Sequence, residues 1–522
     1  MRARFCLTFA VAAGGIISAV CAAQNRYSVA GSVSNYTTGE PVQRALVRIG
    51  PSAAFSDASG RFQMDGLPAG RYSAAAEKPG FFDPAQAGLA SVPTMVAVGP
   101  GTGTIALKLV PESVIEGRVL NNSGEPIEDA QVQFLREGFT DGRKTLQPAG
   151  NNTTDDSGEF RGENLTPGKY YVRVLQTPVF AFGGFVGSDA ASRQVYPEQC
   201  YPNAPDLDSA ESVDLKPGES KRLDFTLSPK PAFRVSGTVA PAAPNGIFAS
   251  VQDADGDETQ VQIAFKPRTG RWTMPQVAPG VWNIVFRAQN QPSDAYYGEQ
   301  RIEVRGSDIE NVKIVLYPLP PIPVQVLNGP ENGAPNIQLR LSSTGARVNA
   351  SQCMAGFDPR NGGGPLLIRD VTPGTYAVHA QPIGAACIES ISSGSIDLMR
   401  DPLVVTAGSP PGPIQVALRN DCATLTVTVE RQGGAAGGFL LLLSEWPGVE
   451  PKTAWLQENL NSSISLGPLT PGVYHLYAVS DLNNVEYANP DVLRALGGQE
   501  ITLAPNQQAT ATVTVPGNDS NQ

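Results

Sequence analysis

Histidine, cysteine and charge are all scarce in this chain of 522 residues: it has two histidines and six cysteines, and 17% of its residues are charged. A zinc hydrolase needs a His/Glu/His ligand set, which His379 and His475, far apart in the chain, do not supply. No G-x-S-x-G elbow is present for a serine hydrolase. The sequence therefore points to no catalytic residue, no metal and no other cofactor, and it assembles no polar pocket of titrating groups. Basic stripes are also lacking. Lys and Arg number 38 against 49 Asp and Glu, a net charge of −11, and the acids are dispersed. That excludes a nucleic-acid partner, whose phosphates need replacement cations, and electrostatic docking on anionic lipid. No stretch keeps a helical apolar period, so long helices are not expected. Beyond the N-terminus no apolar run approaches ~20 residues, so no transmembrane helix is expected either.

The apolar run that does exist opens the chain. Arg2 and Arg4 precede the apolar stretch Phe5 to Val20, and Cys21-Ala22-Ala23 follows. This pattern is a secretory signal peptide over residues 1–23, cleaved after Ala23. Val20 is not the small residue that a lipoprotein anchor at Cys21 would want, which disfavours lipidation. The expected location is secreted, periplasmic or at the cell surface. The mature chain keeps Cys200, Cys353, Cys387 and Cys422, and an even count in an exported protein points to disulfides. Cys387 follows a core strand and Cys422 opens the next repeat, so that pair would staple two repeats together. Cys353–Cys387 is the alternative.

Glycine and proline are plentiful, at 54 and 45 residues, and they punctuate a phrase that returns five times. It reads GLPAGRY at Gly66–Tyr72, NLTPGKYY at Asn164–Tyr171, QVAPGVW at Gln276–Trp282, DVTPGTY at Asp370–Tyr376 and PLTPGVY at Pro468–Tyr474. The glycines before the aromatics, Gly70, Gly168, Gly280, Gly374 and Gly472, lie 98, 112, 94 and 98 residues apart. A period near 100 is too long for a solenoid and suits an independent β-sandwich. Pro-Gly makes a tight turn, and the aromatic starts a strand whose alternate residues share one face. Along Tyr170–Val174 that places Tyr170, Val172 and Val174 inward and Tyr171 and Arg173 outward. The resulting boundaries are 24–111, 112–229 with an insertion at 176–213, 230–319, 320–419 and 420–517, with a polar tail at 518–522. His379 and His475 fall on the faces opposite Tyr376 and Tyr474, as exposed strand positions.

The order G-x-V, G-x-P-(I/V)-x-x-A-x-V, D-x-x-G-x-F and L-x-P-G-x-Y runs through Val29–Tyr72 and again through Ile115–Tyr170. It resembles carboxypeptidase regulatory-like domains, which are similar in turn to Cna-type B repeats and starch-binding-like folds. The pattern covers about 200 residues in the first two repeats, and the rest follow by repetition. The resemblance implies an all-β chain of tandem seven-stranded prealbumin-like (Ig-like Greek-key) sandwiches in an extracellular setting. It implies no activity, because one fold hosts many functions.

Binding or spacing at the cell envelope is the role that fits such a chain, with a glycan or an envelope protein as partner. A sugar site needs aromatic faces beside polar groups, for which Trp446, Trp455, Tyr171 and Tyr477 are the candidates. A sugar platform requires Trp446 and Trp455 to be exposed on one face. The rival, an accessory or scaffold subunit of an envelope peptidase or transporter complex, requires them to be buried.

Overall fold

The computed structural model describes residues 26–89, 94–175, 177–178, 193–241, 247–253, 256, 258–259, 261, 263–290, 294–328, 337–345, 352–357, 365–431, 438–456, 463–479, 482 and 485–515. The leader read at residues 1–23 and the tail at 518–522 lie outside them. The chain divides into two compact units, residues 1–79 with 93–109 and residues 80–92 with 110–522. Among the described residues the regular structure is β-strand apart from one seven-residue helix, Pro490–Leu496.

In the first unit the strand Arg26–Asn35 pairs antiparallel with Arg61–Pro68 and parallel with residues 105–109. A second sheet has the order Ser52–Phe55, Leu46–Ile49, Gly70–Glu77, Thr94–Val98. Val29, Val47, Ile49, Phe62 and Leu67 are buried. The second unit repeats the plan. Its opening strands Ser113–Asn121, Phe233–Ala240, Ile322–Leu327 and Ala423–Arg431 each lie parallel to a strand that closes the same repeat. The period of two that the sequence carries is the cause. In Ala423–Arg431, Leu425, Val427 and Val429 are fully buried and alternate with threonines, so one face joins the core and the other does not. In the fourth repeat the two sheets run together into one of nine strands.

The repeated phrase makes the same contact in all five copies. The ring donor of the aromatic reaches back to the carbonyl four residues earlier. Tyr72 donates to Pro68 at 3.2 Å, Tyr170 to Thr166 at 2.6 Å, Trp282 through its indole nitrogen to Ala278 at 2.9 Å, and Tyr376 to Thr372 and Tyr474 to Thr470 at 2.8 Å. The turn that brings the ring back passes through Gly168, Gly280, Gly374 and Gly472 with φ of 147° to 158°, backbone that side chains disfavour. Tyr170, Tyr376 and Tyr474 are at most 2% exposed. Burial pushes the Tyr474 hydroxyl up to about 12, so it remains a donor.

Arg173 departs from the sequence reading. It points away from the core of its own sandwich, as its parity requires, yet it is 2% exposed. Strands of the insertion cover it, with Cys200 as its ladder partner. The guanidinium bonds Glu198 and Gln133, both at 2.8 Å. A buried cation is tolerable only when it is paired in this way. Tyr170→Ala is expected to destabilise the second sandwich by about 3–5 kcal/mol, and Tyr170→Phe, which loses only the bond to Thr166, by about 1 kcal/mol. Urea unfolding of the two variants checks the pair. Equal losses would show that the hydrogen bond, not the ring, carries the stability.

Candidate functional site

In the second repeat a long hairpin joins Gln131–Thr140 to Arg143–Thr153. Its two-residue turn is Asp141-Gly142, with φ of 50° and 70°, the left-handed pair that suits the twist of a two-residue hairpin. The tip packs against the fourth and fifth repeats. The Gly142 carbonyl accepts from the Ala488 N–H at 3.0 Å, and a Cβ on Gly142 would stand 2.3–2.5 Å from the Tyr487 ring.

The fourth and fifth repeats are themselves fastened together. Cys387 and Cys422 form a disulfide with Cα atoms 5.8 Å apart. Ala380 bridges to Val449, and the Thr470 hydroxyl donates to the Ile388 carbonyl at 2.9 Å. Trp446 packs against the core of the fourth repeat while its ring lies over Gly472, the marker glycine of the fifth.

Where the three repeats meet, they line a partly open cavity of about 390 Å³. The hairpin contributes Asp141 and Arg143, the fourth repeat Ser342 and His379, and the fifth Trp446, His475, Tyr477 and Tyr487. Both histidines of the chain therefore line one space. The sequence placed them as exposed residues on separate sandwiches. Instead His379 is 8% exposed and His475 half-buried, because the outer faces of the two sheets meet here rather than facing solvent.

Behind the lining, Arg340 joins all three repeats. Its guanidinium bonds Asp141 at 2.8–2.9 Å, Glu450 at 2.9 Å and the Ser342 hydroxyl at 2.6 Å. His379 sits between the same carboxylates at longer range. Nδ1 is 3.4 Å from Glu450 and Nε2 is 3.8 Å from Asp141, and neither nitrogen makes a hydrogen bond in the protein. Burial works against the Asp141 carboxylate, but the bond to Ser342 and the Arg340 charge outweigh it and hold its pKa below the usual 3.8. For His379 burial wins. It pushes the imidazole below 6.5 against the pull of Glu450 and Asp141, and Arg340 and Arg143 reinforce it. Among the described residues no hydroxyl is bonded to His379, the contact that a serine relay needs. The arrangement is suited to holding a polar ligand.

The four aromatics singled out from the sequence part company. Trp446 and Tyr477 line the cavity. Trp446 is half-buried with an unpartnered indole N–H. Tyr477 is 6% exposed, on the outer face of its strand but covered by Val485 and Leu493. Trp455 is half-buried opposite Phe439, outside the cavity lining, and Tyr171 packs on Leu135, Leu146 and Cys200 within the second repeat. The tryptophans are thus neither fully exposed nor fully buried. Asp141, Arg340 and Glu450 were missed by the sequence reading. Asp-Gly is a pair that favours a two-residue hairpin turn, but nothing in it marks a docking tip.

Replacing Gly142 by Ala forces a side chain into left-handed backbone and into the Tyr487 ring. The variant is expected to lose at least about 1 kcal/mol and to detach the tip, seen as increased proteolysis at residues 140–145 with the second sandwich intact. An unchanged cleavage pattern would show that the contact is dispensable.

The family model for the carboxypeptidase regulatory-like domain matches residues 28–101 and 114–228. No curated protein matches the chain. Among solved structures it is similar to the Bacillus anthracis TIE protein, at 15% identity over 55% of this chain and 50% of that one, with a TM-score of 0.18. The minor pilin GBS52 of Streptococcus agalactiae is 12% identical over 42% of this chain and 100% of its own, with a TM-score of 0.21. The major pilin subunit BcpA of Bacillus cereus is 10% identical over 78% of this chain and 100% of its own, with a TM-score of 0.13. The opening patterns that recur in the first two repeats, and the sandwiches they build, are thus those of two carboxypeptidase regulatory-like domains in tandem.

Proposed function

We propose that this is an exported, non-catalytic, multi-domain binding protein of the cell envelope or exterior, and that the cavity between its second, fourth and fifth repeats takes a carbohydrate unit. Export is supported by the Arg2–Ala23 leader pattern and by the Cys387–Cys422 disulfide, a bond that persists in oxidising compartments.

The observation that carries the ligand assignment is Trp446. Its half-buried ring forms part of the wall of a partly open space of about 390 Å³, within the ~300–1,000 Å³ of small-molecule pockets. Tyr477 and Tyr487 add aromatic surface, while Ser342, Asp141 and His475 add polar side chains. Sugar hydroxyls donate and accept, which suits a wall that offers donors beside a carboxylate. Aromatic rings supply apolar area with a defined face for the C–H side of a pyranose.

A glycan array and calorimetric titration with the chain from Gln24 to Gln522 test the assignment. Trp446→Ala is expected to weaken binding at least about ten-fold, the loss of roughly 1.4 kcal/mol. Trp455→Ala, outside the cavity, is expected to leave it unchanged. Loss of binding in Trp455→Ala alone would move the site to the outer sheet of the fifth repeat, and no glycan bound by the native chain would favour a protein partner.

A further inference from the structure

We propose that the sugar taken by the cavity is an acidic one, whose carboxylate or sulfate is held by Arg143 at the hairpin tip. The inference rests on the carbohydrate reading above and names the class of sugar within it.

The charges around the space are unequal once their pairing is followed. Among the described residues that line it, Asp141 is the only carboxylate. It is committed within the wall, where Arg340 bonds it at 2.8–2.9 Å. Glu500, the ladder partner of His475, lies outside the lining. Two cations come from the hairpin, Arg143 and Lys144. Lys144 bonds Glu137 at 2.7 Å. Arg143 has no carboxylate partner among the described residues. Its Nη1 donates instead to the neutral Thr344 carbonyl at 3.4 Å, 201 residues away in the fourth repeat. That bond reaches from the tip to the next wall and holds the guanidinium at the rim of the cavity, where Arg143 is exposed. In a chain with a net charge of −11, the one fixed charge of the lining left without an opposite is therefore positive.

A guanidinium carries several N–H donors in a planar fork, and the Thr344 carbonyl uses one of them. The rest fit two oxygens of a carboxylate or sulfate side by side. The acidic and aromatic contacts can be made at once, because they use different parts of a pyranose. Its C–H face packs on an aromatic ring, supplied here by Trp446 of the fifth repeat, while the acidic group projects from the ring edge to the hairpin. A neutral sugar satisfies Trp446 and leaves Arg143 to water. Exposure sets the size of the effect. A pair at the rim is worth far less than a buried one, and the net negative charge of the chain gives an anion no long-range attraction. The preference is local and moderate.

Titration of the chain from Gln24 to Gln522 with the methyl glycosides of glucuronate, glucose 6-sulfate and glucose, followed by ligand-observed NMR, tests this. At low salt at least one acidic sugar is expected to bind roughly three- to ten-fold more tightly than glucose. The margin is expected to close at about 1 M NaCl, where the screening length falls to about 3 Å. Preference for glucuronate alone assigns a carboxylate ligand, and preference for glucose 6-sulfate alone a sulfate. Arg143→Gln is expected to bring the ratio of acidic to neutral affinity close to one, and Arg143→Lys, which keeps the charge without the fork, to restore part of it. Should Arg143→Gln loosen the hairpin tip, the salt dependence of the native chain still decides. Glucose bound as tightly as both acidic sugars overturns this proposal and leaves the carbohydrate reading standing, whereas binding of none of the three overturns both. A preference that survives in Arg143→Gln, or that high salt does not reduce, overturns the assignment to Arg143.

Discussion

Much of this molecule follows from one hydrogen bond, made five times, between an aromatic ring donor and the carbonyl four residues before it. The bond closes a tight glycine turn and anchors the ring in the core, which settles the parity of the strand that follows. A slip of one residue would exchange its two faces. Parity then decides what leaves the core. The residue three places after the ring is Arg173 in the second repeat, His379 in the fourth and Tyr477 in the fifth. Each points away from its own sandwich, and each is nevertheless at most 8% exposed. An insertion covers the first, the hairpin tip and the loop bearing Glu450 flank the second, and a helical segment covers the third. The cavity is lined by two of these three positions.

The ionic junction has a different energetic character. Arg340 serves two carboxylates from two other repeats, with its side chain 18% exposed. Such an arrangement gains little over an apolar contact, because desolvation consumes most of the attraction. It is demanding about position, however. A hairpin one residue longer or shorter would leave Arg340 facing Glu450 alone and Asp141 without its cation. We read the pairing as the device that selects this tip for this pocket, with the Gly142–Tyr487 contact providing the close fit.

Local rules exposed most of the fold to sequence reading. The five phrases marked the five copies of the ring-to-carbonyl bond, and the alternation Tyr170, Val172, Val174 gave the buried face, since both depend on backbone chemistry within a few residues. The site was far less legible. Trp446 and Tyr477 stood out only as aromatics, and His379 was indistinguishable from an exposed strand residue. Its burial comes from Asp141, 238 residues earlier, and Glu450, 71 residues later. No period or motif carries a contact between the outer faces of separate sandwiches. Arg173 was misread for the same reason, its cover being an insertion with no strand pattern of its own.

The way each repeat begins and ends has a mechanical meaning. The first strand lies beside the last and runs in the same direction, from Gly31 with Ile105 in the first repeat to Thr424 with Gln508 in the fifth. Tension applied at the entering and leaving ends of such a repeat slides the two strands along each other. The bonds of a parallel ladder are evenly spaced, so they share that force together and do not break one after another from an end. A sandwich closed in this way resists stretching far better than one whose terminal strands form a hairpin, and a chain of them is built to stay folded while it is being pulled.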